Sequence, residues 1–455
     1  MISYLIAVLA AIVLLVISIC TTLIPGDSGI RGSYDSIDLK QAELLYKKLP
    51  AVKKLQSKPP ITFDDLQPME YREKQPYPRI GLHLGQRKLA LGEIQFLTIA
   101  TNPNEPILCV YAGAAPSEKI GFISRLFPQV KFLLIDPNRF DILTDPDRVV
   151  YLHKFGQVFR SSTPHLAEYL AQLDADTTHS IFILNDLMTN DLAEILKARN
   201  CVFISDIRTN SIGRGEHTHG RPDTVDIIWN LAQQYVWCKI MKPKLAMFKF
   251  RYPFYSQTVD ISKSAYYQNI HMTFKEASKF DDKINFDAML KGARIRYFAG
   301  KLYLQAFAGA SSTETRLITD CKTVCEYPAA PDYDSRMNFY NVVIRSVVYY
   351  KNKNAGIDGI DNCADCALEY HIWHEYFAKH SPGDAKSRSS MILKFITELS
   401  KISSNLSLLK TDRAHGNRMK FSRAGYTELV RCTANAKLQL GAQYDEYKKK
   451  TGNIK

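Results

Sequence analysis

An acidic and a basic side chain lie next to apolar runs in the middle of the sequence. Asp206 follows the run CVFIS, and Lys249 lies inside LAMFKFRYPF between two phenylalanines. Successive side chains of a strand point to opposite faces, so Lys249 and Arg251 share one face, away from Phe248 and Phe250. A lysine that is desolvated beside other cations has a lowered pKa and can act as a base. From these residues alone, a structural ion pair or a solvated strand face remains an alternative interpretation.

Two earlier apolar runs end in features that are typical of a nucleoside site. The run ILCVY is followed by a turn of small residues, Gly113, Ala114, Ala115 and Pro116, before a helical pattern begins. Small residues let a ligand approach the backbone. Asp136 ends the next run, ~20 residues later, where an acid can bind ribose hydroxyl groups. The turn does not match G-x-G-x-x-G, which argues against a dinucleotide. A plain turn and a turn-forming aspartate are the alternatives.

The elements that must position these residues alternate along the chain. The apolar runs are PILCVYAG, KFLLID, HSIFIL, CVFISDI and LAMFKFRYPF. Helical patterns separate them, in SEKIGFISRLF, TPHLAEYLAQL, NDLAEILKA and DTVDIIWNLAQQYVWCKIM, and QRKLALGEIQFLTIA forms a helix before the first run. The alternation predicts an α/β fold with a mostly parallel sheet and helices on both faces. KLYLQAF and ETRLIT are expected to form a closing hairpin, and residues beyond about 335 are mainly helical. Because ligands bind at the carboxyl ends of parallel strands, we expect the polar residues above to line one cleft.

The N-terminus has the pattern of a membrane anchor. Residues 4–24 contain no charged side chain and are long enough to cross the ~30 Å hydrocarbon core. No basic residue precedes this run and no A-x-A site follows it, which favours a retained transmembrane helix over a cleaved signal peptide. Basic residues follow the run, so we expect the large domain in the cytosol. We predict an anchor over residues 1–25, a linker over 26–68, a main domain over 69–345 and a mainly helical basic region over 346–455.

The charge of the chain favours a polyanionic partner. The net charge is +13, and from Met391 to the end 13 Lys and Arg face 5 Asp and Glu. This basic region is a solvated face or an additional contact for RNA phosphates. Nine cysteines show no disulfide spacing, which indicates reduced thiols in a reducing compartment.

One short segment has the spacing of a zinc site. Cys363 and Cys366 form C-x₂-C, and His371 and His374 form H-x₂-H. Only four residues separate the two pairs, which is tight for a tetrahedral site. We therefore favour helix packing, and we expect no metal.

Taken together, these stretches resemble the poxvirus-type cap-specific mRNA (nucleoside-2′-O-)methyltransferases, which also serve as regulatory subunits of poly(A) polymerase. The resemblance covers about residues 70 to 380 and includes GQRK, VYAGAAPSEKI, LLIDPNRFD, FISDIRT and SSTETRL. It implies a Rossmann-like fold and a catalytic tetrad of Lys88, Asp206, Lys249 and Glu314. Lys249 would take a proton from the 2′-hydroxyl of the first transcribed nucleotide, and Lys88 would depress the pKa of Lys249. Asp206 and Glu314 would orient the two ammonium groups.

The resemblance also implies a site for S-adenosylmethionine and a site for the methylated cap guanine. The Gly113 turn would lie by the methionine portion and Asp136 by the ribose, with Arg139 near the cofactor. Tyr71, with Tyr77 as the alternative, and Phe254 would stack on the guanine, and Asp334 would contact its edge.

Two residues depart from the family pattern. Ser256 stands where the family has a second acid at the cap site, and Ser117 stands where it has glycine in the turn. Both departures concern residues next to the implied ligands.

The implied partners are capped mRNA, a membrane and the catalytic subunit of a poly(A) polymerase. The expected location is a host cytoplasmic membrane or the virion of a large DNA virus. Two alternatives to the enzyme are a non-catalytic RNA-binding subunit of the polymerase and a structural virion membrane protein with a relic domain. The presence of all four tetrad residues favours the enzyme.

Overall fold

A computed structural model describes most of residues 61–399, with gaps. The described ranges are 61–69, 85–142, 144, 146–155, 163–197, 199–209, 224–253, 261–263, 266–309, 312–328, 330–345, 364–380 and 388–399. The predicted anchor, most of the predicted linker and the chain beyond residue 399 lie outside these ranges. Within them, no helix combines the length and the apolar character that crossing a membrane requires.

An eight-stranded sheet forms the centre of the described part. The ten strands of the described residues are β1 (Ile107–Ala112), β2 (Val130–Ile135), β3 (Val149–His153), β4 (Ile181–Leu184), β5 (Cys201–Ser205), β6 (Ala246–Phe250), β7 (Arg296–Phe298), β8 (Lys301–Tyr303), β9 (Thr315–Thr319) and β10 (Val324–Glu326), and eight of them form this sheet. The order in the sheet is β3-β4-β2-β1-β5-β6-β9-β8, and β7 and β10 form a separate pair. Strands β1 to β6 pair in parallel. Strand β9 is antiparallel to both β6 and β8. The predicted mostly parallel sheet and its closing hairpin are confirmed.

Helices connect the parallel strands and continue beyond them. They are α1 (Gly85–Ala100), α2 (Ile120–Leu126), α3 (Thr163–Ala175), α4 (Asn190–Leu196), α5 (Thr224–Met241), α6 (Tyr267–Phe280), α7 (Phe286–Leu290), α8 (Ala330–Phe339) and α9 (Ala364–His380). A π-helical segment, Tyr340–Ile344, follows α8. Residues 388–399 are also helical.

The apolar pattern does not predict strand β3. This strand lies at the edge of the sheet, and its pairing with β4 is irregular between Tyr151 and His153. Its first three residues are partly or fully exposed, with Tyr151 at 44%. Every residue of β1 is buried, in contrast, as expected for a central parallel strand. The signal that identifies β1 is therefore missing from β3.

Two segments outside the sheet pack onto the domain. Helix α9 contacts α1 and buries Trp373 completely. Near the start of the described chain, Phe63 is buried and stacks on Tyr333 of α8, with ring centroids 5.2 Å apart. The apolar side chains of both segments thus belong to the same core as the sheet.

Candidate active site

The four residues of the predicted tetrad lie together in the structure. Lys88 Nζ is 3.1 Å from Glu314 Oε1, and Lys249 Nζ is 3.0 Å from Asp206 Oδ1. Lys249 Nζ is also 3.8 Å from Glu314 Oε2, which joins the two pairs into one cluster. Between 11% and 16% of each side chain is exposed, so the cluster is largely buried but open to a ligand.

Each member of the cluster comes from a different element. Lys88 lies in the first turn of α1, and Asp206 follows β5 directly. Lys249 lies in β6, where the neighbouring Phe248 and Phe250 are fully buried against other aromatic rings. Glu314 precedes β9, which pairs with β6. The buried aromatic face of β6 fixes the strand, so Lys249 on the opposite face points into the cluster as the alternation predicted.

Arg316 is a further charged residue of the cluster, and it was not predicted from the sequence. It lies in β9 directly opposite Lys249, and one guanidinium nitrogen donates to Asp206 Oδ1 at 2.6 Å. Its Nε donates to Gln305 Oε1 at 3.0 Å, and a further nitrogen is 3.5 Å from Glu314 Oε1. The alternation of ETRLIT contains a signal for it, because residues two apart in a strand share a face.

Charge balance decides the ionisation of the two carboxyl groups. Burial alone would raise the pKa of Asp206, but the charges of Arg316 and Lys249 outweigh it and hold that pKa below its usual value. Burial would likewise raise the pKa of Glu314, but the charges of Lys88, Lys249 and Arg316 hold that pKa well below its usual value. Both carboxyl groups are therefore ionised near neutral pH.

The cluster contains more cationic than anionic side chains. Burial lowers the pKa of Lys88, and the charges of Arg316 and Lys249 lower it further against the opposing charge of Glu314. Three largely buried cations, Lys88, Lys249 and Arg316, thus face two carboxylates within the described residues. A surplus of positive charge in a site of low polarity favours the loss of one proton from a lysine. The assignment of Lys249 rather than Lys88 as the base stays a prediction from the resemblance.

The cluster lies beside the point where the strand order reverses. Strand β2 is the neighbour of β1 on one side within the sheet, and β5 is its neighbour on the other side. Gly113, directly after β1, has a φ of +76°, and a Cβ there would lie 2.7 Å from the backbone nitrogen of Ile207. Only glycine permits this approach of the two strand ends. Such a crevice is the usual ligand site of open α/β sheets.

Asp136 holds the turn after β1 in place. Its Oδ2 accepts a hydrogen bond from the backbone nitrogen of Ala115 at 3.1 Å, and its Oδ1 accepts two from Asn138, at 2.8 and 2.9 Å. Burial raises the pKa of Asp136, and these hydrogen bonds oppose the shift. The structure thus brings Asp136 and the Gly113 turn together, whereas Arg139 is exposed on the loop that follows.

Two buried oxygen atoms directly after β4 were not predicted. Ile135 pairs with Leu184, so Asn185 follows β4 at the level at which Asp136 follows β2. The side-chain nitrogen of Asn185 donates to the backbone oxygen atoms of Asp136 and Asn138, at 3.1 and 2.6 Å. Asn185 Oδ1 and Asp186 Oδ2 are buried and accept no hydrogen bond from the part of the chain that the structure describes. A ligand that carries hydroxyl or amino donors, such as a nucleoside, fits this set of acceptors. The signal in the sequence is a pair of polar residues after HSIFIL.

Of the predicted cap residues, only Asp334 is described. Tyr71, Tyr77, Phe254 and the departing Ser256 lie outside the described ranges. Asp334 lies on α8, where burial raises its pKa to about 6 against the charge of Arg251. Arg251 follows β6, so Asp334 lies near the end of the strand that carries Lys249.

The predicted alternative of a zinc site involves helix α9. Cys363 lies outside the described ranges, whereas Cys366 is buried and His371 and His374 are partly exposed. His374 Nδ1 is 3.6 Å from Glu375 Oε1. Within the described chain, no group of three or more His, Cys, Asp or Glu side chains is arranged to hold a metal ion.

Comparison with known proteins identifies distant relatives. No protein-family model matches the chain. The chain is similar to the cap-specific mRNA (nucleoside-2′-O-)-methyltransferases of Myxoma virus, strains Lausanne and Uriarra. Each is 22% identical over 356 residues, which cover 74% of this chain and 82% of the relative. The resemblance to the poxvirus family is therefore confirmed at the level of a distant relationship.

Proposed function

We propose that this chain transfers a methyl group from S-adenosylmethionine to the ribose 2′-hydroxyl of the first transcribed nucleotide of capped mRNA. The observation that carries the proposal is the cluster of Lys88, Asp206, Lys249 and Glu314 beside the crevice between β1 and β5. The activity named for the Myxoma virus relatives supports it.

Lys249 is the proposed acceptor of the proton from the 2′-hydroxyl. Asp206, 3.0 Å away, and Glu314, 3.8 Å away, orient its nitrogen and stabilise the ammonium group that forms. Lys88, held by Glu314, then stabilises the negative charge that develops on the attacking oxygen.

Three groups of residues would hold the cofactor. The Gly113 turn offers a backbone that a ligand can approach, and Asp136 retains acceptor capacity for ribose hydroxyl groups. Asn185 Oδ1 and Asp186 Oδ2 accept no hydrogen bond from the described residues, and they extend the acceptor set along the same edge of the sheet. When bound, S-adenosylmethionine supplies a methyl group that its sulfonium already activates. The main task of the chain is therefore to position the hydroxyl in line with that group.

Recognition of the cap is assigned to Tyr71, Phe254 and Asp334. Two aromatic rings suit the cationic methylated guanine through cation–π attraction. With a pKa of about 6, Asp334 is mostly ionised at pH 7 and adds a negative charge. Because Ser256 replaces the second acid of the family, cap binding in this chain depends more strongly on Asp334.

A methyl-transfer assay tests the proposal. We expect the full-length chain in detergent to methylate cap-0 RNA and to leave uncapped RNA of the same sequence unmodified. Lys249→Ala and Asp206→Ala should lose transfer while S-adenosylmethionine still binds. Lys275→Ala, which changes an exposed lysine on α6, is the matched control and should retain activity.

Three other results would contradict parts of the proposal. Equal rates on capped and uncapped RNA would contradict the cap site, and retained activity of both cluster variants would contradict the tetrad. Binding of RNA without methyl transfer would favour the non-catalytic RNA-binding subunit.

A further inference from the structure

Helix α9 carries two buried carboxylates on one face, and each binds a buried arginine. Asp365 and Glu369 are four residues apart, so their side chains lie one above the other on the helix. Glu369 Oε1 accepts from Arg87 Nε at 3.1 Å, and Glu369 Oε2 accepts from the same guanidinium at 2.5 Å. Asp365 accepts from Arg345 in the same two-point manner, at 3.0 to 3.1 Å. No more than 3% of any of these four side chains is exposed.

The first of these arginines is the neighbour of a cluster residue. Arg87 directly precedes Lys88 in the first turn of α1, and its guanidinium lies over the ring of Phe307, 4.7 Å from the centroid. Glu369 therefore fixes the turn of α1 that carries Lys88.

The second arginine is connected to the segment that carries Glu314. Arg345 donates to the backbone oxygen of Gly309 at 3.4 Å and to Asn341 Oδ1 at 3.3 Å. Asn341 donates in turn to the backbone oxygen of Ser312 at 2.9 Å, and Ser312 Oγ accepts from the backbone nitrogen of Glu314 at 3.3 Å. Asp365 thus holds both ends of the loop that leads to Glu314.

We propose that α9 positions the Lys88–Glu314 pair, with Glu369 acting through Arg87 and Asp365 acting through Arg345. Buried ion pairs contribute little stability beyond that of apolar side chains of similar volume, because desolvation offsets their attraction. Helix α9 has two such pairs on one face. One leads to Lys88 and the other to Glu314, which are the two partners of the 3.1 Å contact. Orientation of this contact explains why both pairs are present. The role in catalysis rests on the proposed function, whereas the effect on Lys88 does not.

The titration of Lys88 gives a readout that needs no methyl transfer. The charged groups that act on Lys88 are Glu314, Arg316, Lys249 and Asp206. None of these groups is changed in the test. Full-length protein labelled with [ε-¹³C]lysine is titrated by NMR, and Lys88→Met assigns the resonance. The variants are Glu369→Gln, which removes a charge, and Arg87→Lys, which keeps the charge and loses the planar two-point fork.

We expect both variants to raise the pKa of Lys88 towards the usual lysine value. Burial is the main cause of its lowering, and a loosened first turn of α1 admits water. A purely electrostatic role of Glu369 has the opposite signature. Glu369→Gln would then lower the pKa of Lys88, and Arg87→Lys would leave it unchanged.

A third variant controls for general loosening of α9. Tyr376→Phe removes the hydrogen bond from Tyr376 to the backbone oxygen of Leu126, at 2.8 Å, and touches neither arginine. It should lower the thermal midpoint and leave the Lys88 titration as in the wild type. In the active enzyme, Glu369→Gln and Arg87→Lys should lower kcat roughly tenfold with an unchanged KM for S-adenosylmethionine, as expected for misplaced reacting groups.

The outcomes separate the two proposals. An unchanged Lys88 titration in both folded variants, or the same shift in Tyr376→Phe, would overturn the positioning role. If Glu369→Gln does not fold, Arg87→Lys carries the test alone. The wild-type chain could show no methyl transfer while both variants still shift the pKa of Lys88. That result would refute the proposed function and support the positioning role.

Discussion

Arg316 should set the pH range in which the cluster is active. Its guanidinium and Lys249 Nζ contact the same oxygen of Asp206, at 2.6 and 3.0 Å, so the two nitrogen atoms are less than about 6 Å apart. Two unit charges at this separation repel each other by ~3 kcal/mol at an effective dielectric constant of ~20. Arg316→Gln removes the charge and keeps hydrogen-bonding capacity towards Asp206.

The expected result is a shift of the acid limb of the pH–rate profile. Without Arg316, the two carboxylates face the two lysines and the half-exposed Arg208, whose guanidinium is 3.8 Å from Glu314 Oε2. The protonated form of the cluster then becomes more stable. The limb should move to higher pH, so activity at pH 7 should fall, by up to ~100-fold for ~3 kcal/mol, and partly recover at higher pH. The assay is methyl transfer to cap-0 RNA between pH 6 and 10.

Arg316→Lys is the matched control, because it keeps the positive charge but cannot donate hydrogen bonds to Asp206 and Gln305 with the geometry of a guanidinium. It should lose activity through geometry, with the limb near its wild-type position. An unshifted limb in a folded Arg316→Gln protein would refute the electrostatic reasoning. Equal shifts in both variants would do the same, since only one of them loses the charge.

The next predictions concern the crevice and the cap residue. Gly113→Ala should destabilise the fold by at least ~2 kcal/mol and prevent cofactor binding, because the φ of residue 113 is positive and its Cβ would meet Ile207. Gly292→Ala is the control, because Gly292 also has a positive φ but a Cβ there would lie in open space. Thermal unfolding measures the stability of both variants, and calorimetry measures their cofactor binding. Asp186→Ala should weaken S-adenosylmethionine binding roughly tenfold with little change in unfolding temperature, and equal affinity would exclude Asp186 from the site. Cap-analogue binding should weaken as the pH falls below about 6, where Asp334 takes up a proton, and Asp334→Asn should abolish this dependence. Since the folded-state pKa of Asp334 is raised, its contribution to stability is present at low pH and lost as the pH rises to about 6, so Asp334→Asn should stabilise the protein above that pH.

Local patterns predicted the elements that carry the cluster. They did not predict contacts between residues that are far apart in the sequence. The alternation of LAMFKFRYPF placed Lys249 opposite the buried phenylalanines because that property depends only on neighbouring residues. Arg316 escaped prediction because its partner Asp206 is 110 residues away and belongs to another strand. The role of α9 was hidden for the same reason, since Arg87 and Glu369 are 282 residues apart.

Strand β6 links the two halves of the proposed site. Lys249 lies in β6 and Arg251 directly follows the strand, two residues later, a separation of about 7 Å along an extended chain. Lys249 belongs to the proposed methyl-transfer cluster, and the charge of Arg251 acts on Asp334 of the proposed cap site. The cap guanine and the first transcribed nucleotide are neighbours in the proposed substrate. One rigid strand with aromatic side chains buried behind it can hold both at a fixed spacing. A residue inserted between Lys249 and Arg251 would turn one of them to the opposite face. Methyl transfer and cap binding should therefore become uncoupled by that insertion, even in a protein that still folds.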